Sequence, residues 1–181
     1  NAHVADRIML LARTTPLEEV EKKTQGLSLF FTRLDREKVE ARLIPKMGRK
    51  AVGSNTLFLN DFFIPEEDRI GADGDGFKII LQGLNPERIL LAGEAVGIGR
   101  AALARAATYA QERVVFGRPI GQNQSIAHPL AKCWMELEAA NLMVLKAANR
   151  FDARQECGAD ANAAKYLTAE AGFSACEAAV M

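Results

Sequence analysis

Short β-type runs fill the first third of the chain, with apolar and polar residues partly alternating in 39–44 and 56–60. Long rows of apolar residues spaced by three, four and seven fill the rest. The runs at residues 7–12, 27–32, 39–44 and 56–64 are separated by turn or charged residues, which predicts strands with one solvated face. Ile64-Pro65 closes the last run, because proline cannot donate to a ladder. Gly71-Ala72-Asp73-Gly74-Asp75-Gly76 then reads as a loop.

Beyond residue 76 the period becomes helical. Asn85-Pro86-Glu87-Arg88 reads as a helix start: Asn suits the N-cap, Pro the first turn, and Glu the positive end of the dipole. Ile89, Val96, Leu103 and Ala110 form one row of that helix, with Ala92, Gly99 and Ala106 interleaved. Gly117-Arg118-Pro119 and Gly121 break it. A second helix repeats the pattern with Leu130, Leu137, Val144 and Phe151 in one row and Cys133, Ala140 and Ala147 in the other. A third, rich in Ala, is expected over residues 160–181. Helices with such seams pack nearly antiparallel in a bundle. Strands first and helices afterwards predict an α+β chain, a partial antiparallel β-domain over 1–72 followed by an antiparallel helical bundle over 73–181.

Composition narrows the function classes. Of 181 residues, 49% are hydrophobic and 25% charged, which excludes a disordered tail or a low-complexity linker. Lys+Arg and Asp+Glu are equal at 23 each, so no net field draws in a phosphate backbone, and nucleic-acid binding is disfavoured. Cys133, Cys157 and Cys176 are odd in number and far apart, which is neither a disulfide framework nor metal-ligand spacing, and fits a reducing compartment. No apolar stretch approaches the ~20 residues that span a bilayer. A start at Asn1 and an end inside an Ala-rich helical pattern read as those of a fragment.

Several motifs point to chemistry and fail on inspection. Gly97-Ile98-Gly99-Arg100-Ala101-Ala102 spells a dinucleotide fingerprint. The strand and acidic residue that should follow are missing, and the helical seam continues in phase through both glycines, so close helix approach is the better reading. Asp73-Gly74-Asp75-Gly76 begins like a calcium loop but lacks the third oxygen ligand and the closing Glu. His128 and Cys133 fall on different helix faces, His3 stands alone, and Trp134 and Met135 read as core.

Two polar groupings remain. In Asn85-Pro86-Glu87-Arg88, Glu87 is either an ordinary first-turn acid or, in a dehydrated pocket, a base. In Glu112 to Ile120 with Asn123 and Gln124, an Arg, an aromatic residue, a Gly turn and amides cluster between two helices. That set suits a pyrophosphate and a flat ring, or is simply a solvated helix end.

With these residues in this order, the chain resembles the acyl-CoA dehydrogenases over essentially its whole length. Val4-Ala5-Asp6 through Ala12-Arg13, Lys46-Met47-Gly48, Ser54 with Thr56, Phe63-Ile64-Pro65 and Gly71 through Phe77 resemble the middle β-domain and its exit. Leu84-Asn85-Pro86-Glu87-Arg88 followed by Ala95-Val96-Gly97 resembles the long helix of the C-terminal bundle. Glu112-Arg113 with Phe116-Gly117 and Gln124 is the most specific signature.

The resemblance implies a flavoenzyme that introduces an α,β double bond into an acyl-CoA thioester. A carboxylate takes the α-proton, the β-hydrogen leaves as hydride to FAD, and electrons pass to an electron-transfer flavoprotein. Hydrogen bonds to the thioester oxygen stabilise the developing enolate. The base is either Glu87, as in isovaleryl- and long-chain-type members, or a Glu beyond Met181. By the same resemblance Asn85 and Arg88 contact the thioester substrate. Arg113, Phe116, Asn123 and Gln124 reach the FAD of a neighbouring subunit, and Asn1 follows a flavin-contacting Trp-x-Thr stretch. A homodimer or homotetramer is implied, with no metal, in bacterial cytoplasm or the mitochondrial matrix. The family's N-terminal helical domain and its Gly-Gly-x-Gly region fall outside the sequence, so the fragment itself is expected to be inactive. A related acyl-CoA oxidase or flavin monooxygenase, or a non-catalytic helical oligomerisation module, are the competing readings.

Overall fold

The structure, a computed structural model, describes residues 1–181. The chain forms two compact units, Asn1–Gln82 and Gly83–Met181. Their boundary falls inside a helix.

In the first unit, β1 (Arg7–Arg13) and β2 (Leu27–Arg33) pair antiparallel from Arg7 opposite Arg33 to Arg13 opposite Leu27, and a short β5 (Arg69–Ile70) extends the sheet beyond β2. The loop between β1 and β2 is held by Arg13. Its guanidinium donates to the carbonyls of Thr15, Lys23 and Gln25 at 3.3, 2.6 and 2.9 Å. A second hairpin, β3 (Val39–Leu43) with β4 (Asn55–Leu59), forms a separate two-stranded sheet. The fourth run is therefore shorter than its composition suggests, with the ladder ending at Leu59. Past that point the chain has left the sheet and reaches a 3-10 turn at Glu66–Asp68.

The exit from the sheet is anchored by polar groups. Ser28, fully buried on β2, donates to Asp73 Oδ1 at 2.6 Å and accepts from the Gly74 N–H at 2.9 Å, and its hydroxyl lies 2.8 Å from that of Thr14. The helix α1 (Gly76–Glu112) begins directly on the β2 backbone: a Cβ at Gly76 would lie 2.4 Å from the Leu29 nitrogen. This corrects the expected start at Asn85. The helix is already two turns old there, and Pro86 sits in its interior. Asn-Pro reads as a cap only if nothing upstream is helical. Here close packing on β2 favours the earlier start, although Pro86 cannot donate to the Gln82 carbonyl.

In the second unit, α1 is followed by a small hairpin, β6 (Val114–Val115) and β7 (Arg118–Pro119), then α2 (Gln124–Asp152) and α3 (Gly158–Val180). The predicted seams form the core. Ile89, Ala92 and Val96 of α1 cluster with Val144 and Ala147 of α2 and Ala161 and Ala164 of α3. Further along, Leu103 clusters with Cys133, Leu137, Ala140, Ala171 and Ala175. The helices approach closely at Gly99, where a Cβ would lie 2.8 Å from Leu137 Cδ2 and 3.2 Å from the Gly172 Cα. Gly97, in contrast, faces open space, so only one of the two glycines in the apparent fingerprint serves close approach.

Three more side chains differ from expectation. Trp134 and Met135 are 58% and 57% exposed, because Trp134 sits at the margin of the face that Cys133 and Leu137 bury and Met135 points away from it. Phe151 is exposed in the last turn of α2, after the seam has ended at Ala147. At the corner between α2 and α3, Asp160 receives Lys146 at 2.9 Å and Arg150 at 3.2 Å, which hold its carboxyl below the usual carboxylate range, Lys146 contributing most. No helix is long and apolar enough to cross a membrane.

Candidate active site

The first polar grouping occupies one turn of α1. Arg88 Nη1 donates to Asn85 Oδ1 at 3.1 Å, an i,i+3 contact that fixes both side chains in a partly buried position. Ile89, the next residue, is in the core, which orients the turn. Glu87 lies on the exposed side of this turn and makes no hydrogen bond or ion pair within the chain. The structure thus brings Asn85, Glu87 and Arg88 together with the carboxylate uncommitted.

The second grouping is the β6–β7 hairpin. Phe116 and Gly117 occupy its tip with φ of 52° and 77°, two successive positive values as in a type I′ turn. Glycine takes that conformation freely, whereas a bulky aromatic residue does so at a cost of about 1–2 kcal/mol. Phe116 is also fully exposed. A strained aromatic side chain held wholly in solvent is the least ordinary feature of the unit. Arg113 precedes the hairpin, with its backbone tied to Tyr109 and Ile120 at 2.9 Å each and its guanidinium without a partner in the chain. Gln124 opens α2 and is exposed.

Asn123 is placed differently. Its Oδ1 accepts from Arg118 Nη2 at 2.6 Å and its Nδ2 donates to the Ile120 carbonyl at 3.0 Å, so both ends of the amide brace the hairpin against the start of α2. Arg118, read from the sequence only as part of the helix break and of the polar grouping, is the partner that fixes it; its spacing of five from Asn123 across Pro119 to Gln122 was the available signal. From residue 113 to 124 there are two arginines and no acid. That charge, with a solvent-facing ring, fits a ligand that is both aromatic and anionic.

In the other unit, Asn1 accepts the Gly53 N–H on Oδ1 at 2.6 Å. The side chain closes the chain's first residues onto the loop between β3 and β4.

Along α1, Glu87 and Glu112 are separated by 25 residues, about 37 Å at 1.5 Å per residue. The first grouping and the hairpin after Glu112 therefore cannot meet within one copy of the chain.

Residues 74–181 match the family model described as acyl-CoA dehydrogenase, C-terminal domain. The chain belongs to the acyl-CoA dehydrogenase family. It is 46% identical over 126 residues to acyl-CoA dehydrogenase FadE12 of Mycobacterium tuberculosis, covering 68% of this chain and 32% of that relative. It is 36% identical over 179 residues to an acyl-CoA dehydrogenase of Bacillus subtilis, covering 97% and 45%. Among solved structures, the glutaryl-coenzyme A dehydrogenase glutaryl-CoA complex superposes with a TM-score of 0.91 at 33% identity, over 99% of this chain and 45% of that one. PigA with FAD and proline superposes with the same TM-score at 28% identity, over 99% and 46%. The chain thus spans less than half the length of each of these relatives.

Proposed function

We propose that the full-length protein is an FAD-dependent acyl-CoA dehydrogenase that passes electrons to an electron-transfer flavoprotein. The observation that carries this reading is the uncommitted Glu87 carboxylate beside the braced Asn85–Arg88 pair. Family membership supplies the reaction class.

In this mechanism Arg88 and Asn85 bind the acyl-CoA thioester and present its α-carbon to Glu87. Glu87 takes the α-proton as the α,β double bond forms. Bound FAD supplies the acceptor for the β-hydrogen and its electron pair. Arg113 and Gln124 hold the anionic and polar parts of that cofactor, and Phe116 covers a ring. The roughly 37 Å along α1 between Glu87 and the hairpin favours a site built from two copies, each lending its hairpin to the flavin that the other's Glu87 serves. A homodimer or a pair of dimers meets that requirement.

The test is Glu87→Gln in the full-length protein, mixed anaerobically with a panel of acyl-CoA thioesters while flavin absorbance is followed. The amide keeps shape and removes the base, so the protein should purify yellow with bleaching slowed by roughly 10²–10⁴-fold. Bleaching at the wild-type rate would move the base away from Glu87.

A further inference from the structure

The Asn85–Arg88 pair is not held by α1 alone. The first turn of α3 begins at Gly158, whose N–H donates to Glu156 Oε1 at 3.0 Å. A Cβ at Gly158 would lie 3.0 Å from that same oxygen, and 3.8 and 3.9 Å from Nδ2 and Oδ1 of Asn85. One residue beyond Arg88, Ile89 packs with Ala161 and Ala164 of α3. The substrate-binding turn of α1 therefore rests against the first two turns of α3, and the backbone of Gly158 borders the Asn85 amide. Asn85 in turn fixes Arg88 through its Oδ1.

We propose that Gly158 is a positioning residue for acyl-CoA binding, acting on Arg88 through Asn85; this rests on the reading that Asn85 and Arg88 contact the thioester substrate. The missing side chain leaves the volume in which the Asn85 amide keeps its oxygen towards Arg88. A methyl group there meets Asn85 at ordinary contact distance and crowds only the flexible end of Glu156. Anything larger occupies the amide's own space and turns it away from the guanidinium. Nothing in the amphipathic pattern marks this glycine. Its role follows only from the packing of α3 on α1.

The test uses full-length protein with Gly158→Ala, Gly158→Ser and Gly158→Val, and the same three in an Asn85→Ala background. KM for acyl-CoA should rise with side-chain size, to about tenfold for Val, the loss of one hydrogen bond to a charged group, while kcat stays within about twofold. In the Asn85→Ala background the same substitutions should add nothing to KM. Gly158→Ser provides the series with a member that folds if Gly158→Val does not. An unchanged KM across the series, or an equal rise in both backgrounds, overturns the inference. Arg88→Ala separates the two levels. A raised KM for Arg88→Ala with an unchanged Gly158 series withdraws only the positioning role, whereas an unchanged KM for Arg88→Ala withdraws the substrate reading beneath it.

Discussion

Phe116 concentrates the contrast between what a residue costs and what it does. Its φ of 52° is a conformation that Asn and Gly adopt readily, and Asn-Gly is the favoured pair at the tip of a two-residue hairpin. Phe116→Asn should therefore raise the thermal midpoint, corresponding to about 1 kcal/mol of relieved strain. The same substitution should speed loss of flavin on dilution of the full-length protein. A lower midpoint, followed by circular dichroism, would remove the strain argument. Glu87, Arg88, Arg113 and Phe116 stand as candidates through the family resemblance, because a first-turn acid and a solvated helix end fit their spacing equally well. The committed amide of Asn123 was not legible in the sequence, since its two hydrogen bonds depend on how Arg118 and Ile120 fold back around the hairpin.

At the scale of elements, the start of α1 is set by contacts that sequence does not display. Asp73 is held below the ordinary carboxylate range, first by the hydrogen bond from Ser28 and then by that from Thr14. Because the folded-state pKa is depressed, the stability that this acid contributes is present above its unfolded value and is lost as pH falls through the folded one. Hydrogen exchange of residues 76–82 should accordingly quicken in acid below the usual carboxylate range. Asp73→Asn should show faster exchange already at pH 7 with a flatter pH dependence; an exchange profile identical to wild type would show that the clamp does not secure the helix start. Gly76→Ala sets a Cβ 2.4 Å from the Leu29 nitrogen, and denaturant unfolding should register a loss of about 1–3 kcal/mol. Short apolar runs located β1 to β4, and the seven-residue rows located the core faces of α1 and α2, while α3 was marked only by its alanine content. The Asn-Pro pair displaced the α1 boundary because a cap signal is local, whereas the packing of Gly76 on β2 joins residues far apart in the chain.

For the molecule as a whole, a close crossing lies where Gly99 of α1 meets Gly172 of α3 beside Leu137. Two glycines two residues apart make a sharp comparison there. In the 181-residue chain, Gly97→Ala fills open space in a helix and should stabilise it by about 0.5–1 kcal/mol. Gly99→Ala drives a methyl group to 2.8 Å from Leu137 and should destabilise by about 1–3 kcal/mol. Thermal midpoints moving in the same direction for both would contradict the packing. The site was less legible at this scale than the fold. Residue patterns gave two polar groupings, but only the length of the unbroken helix between them shows that one copy cannot unite them. The outward side of α3 bears on handling. Tyr166, Phe173 and Val180 recur every seven residues there at 66%, 72% and 87% exposure, on a chain whose formal net charge at pH 7 is zero. Without mutual repulsion, such a greasy ridge makes a poor colloid near neutrality. Preparations of the isolated chain should brighten a hydrophobic dye, sediment as larger species at higher concentration, and disperse as the buffer is moved away from neutral pH.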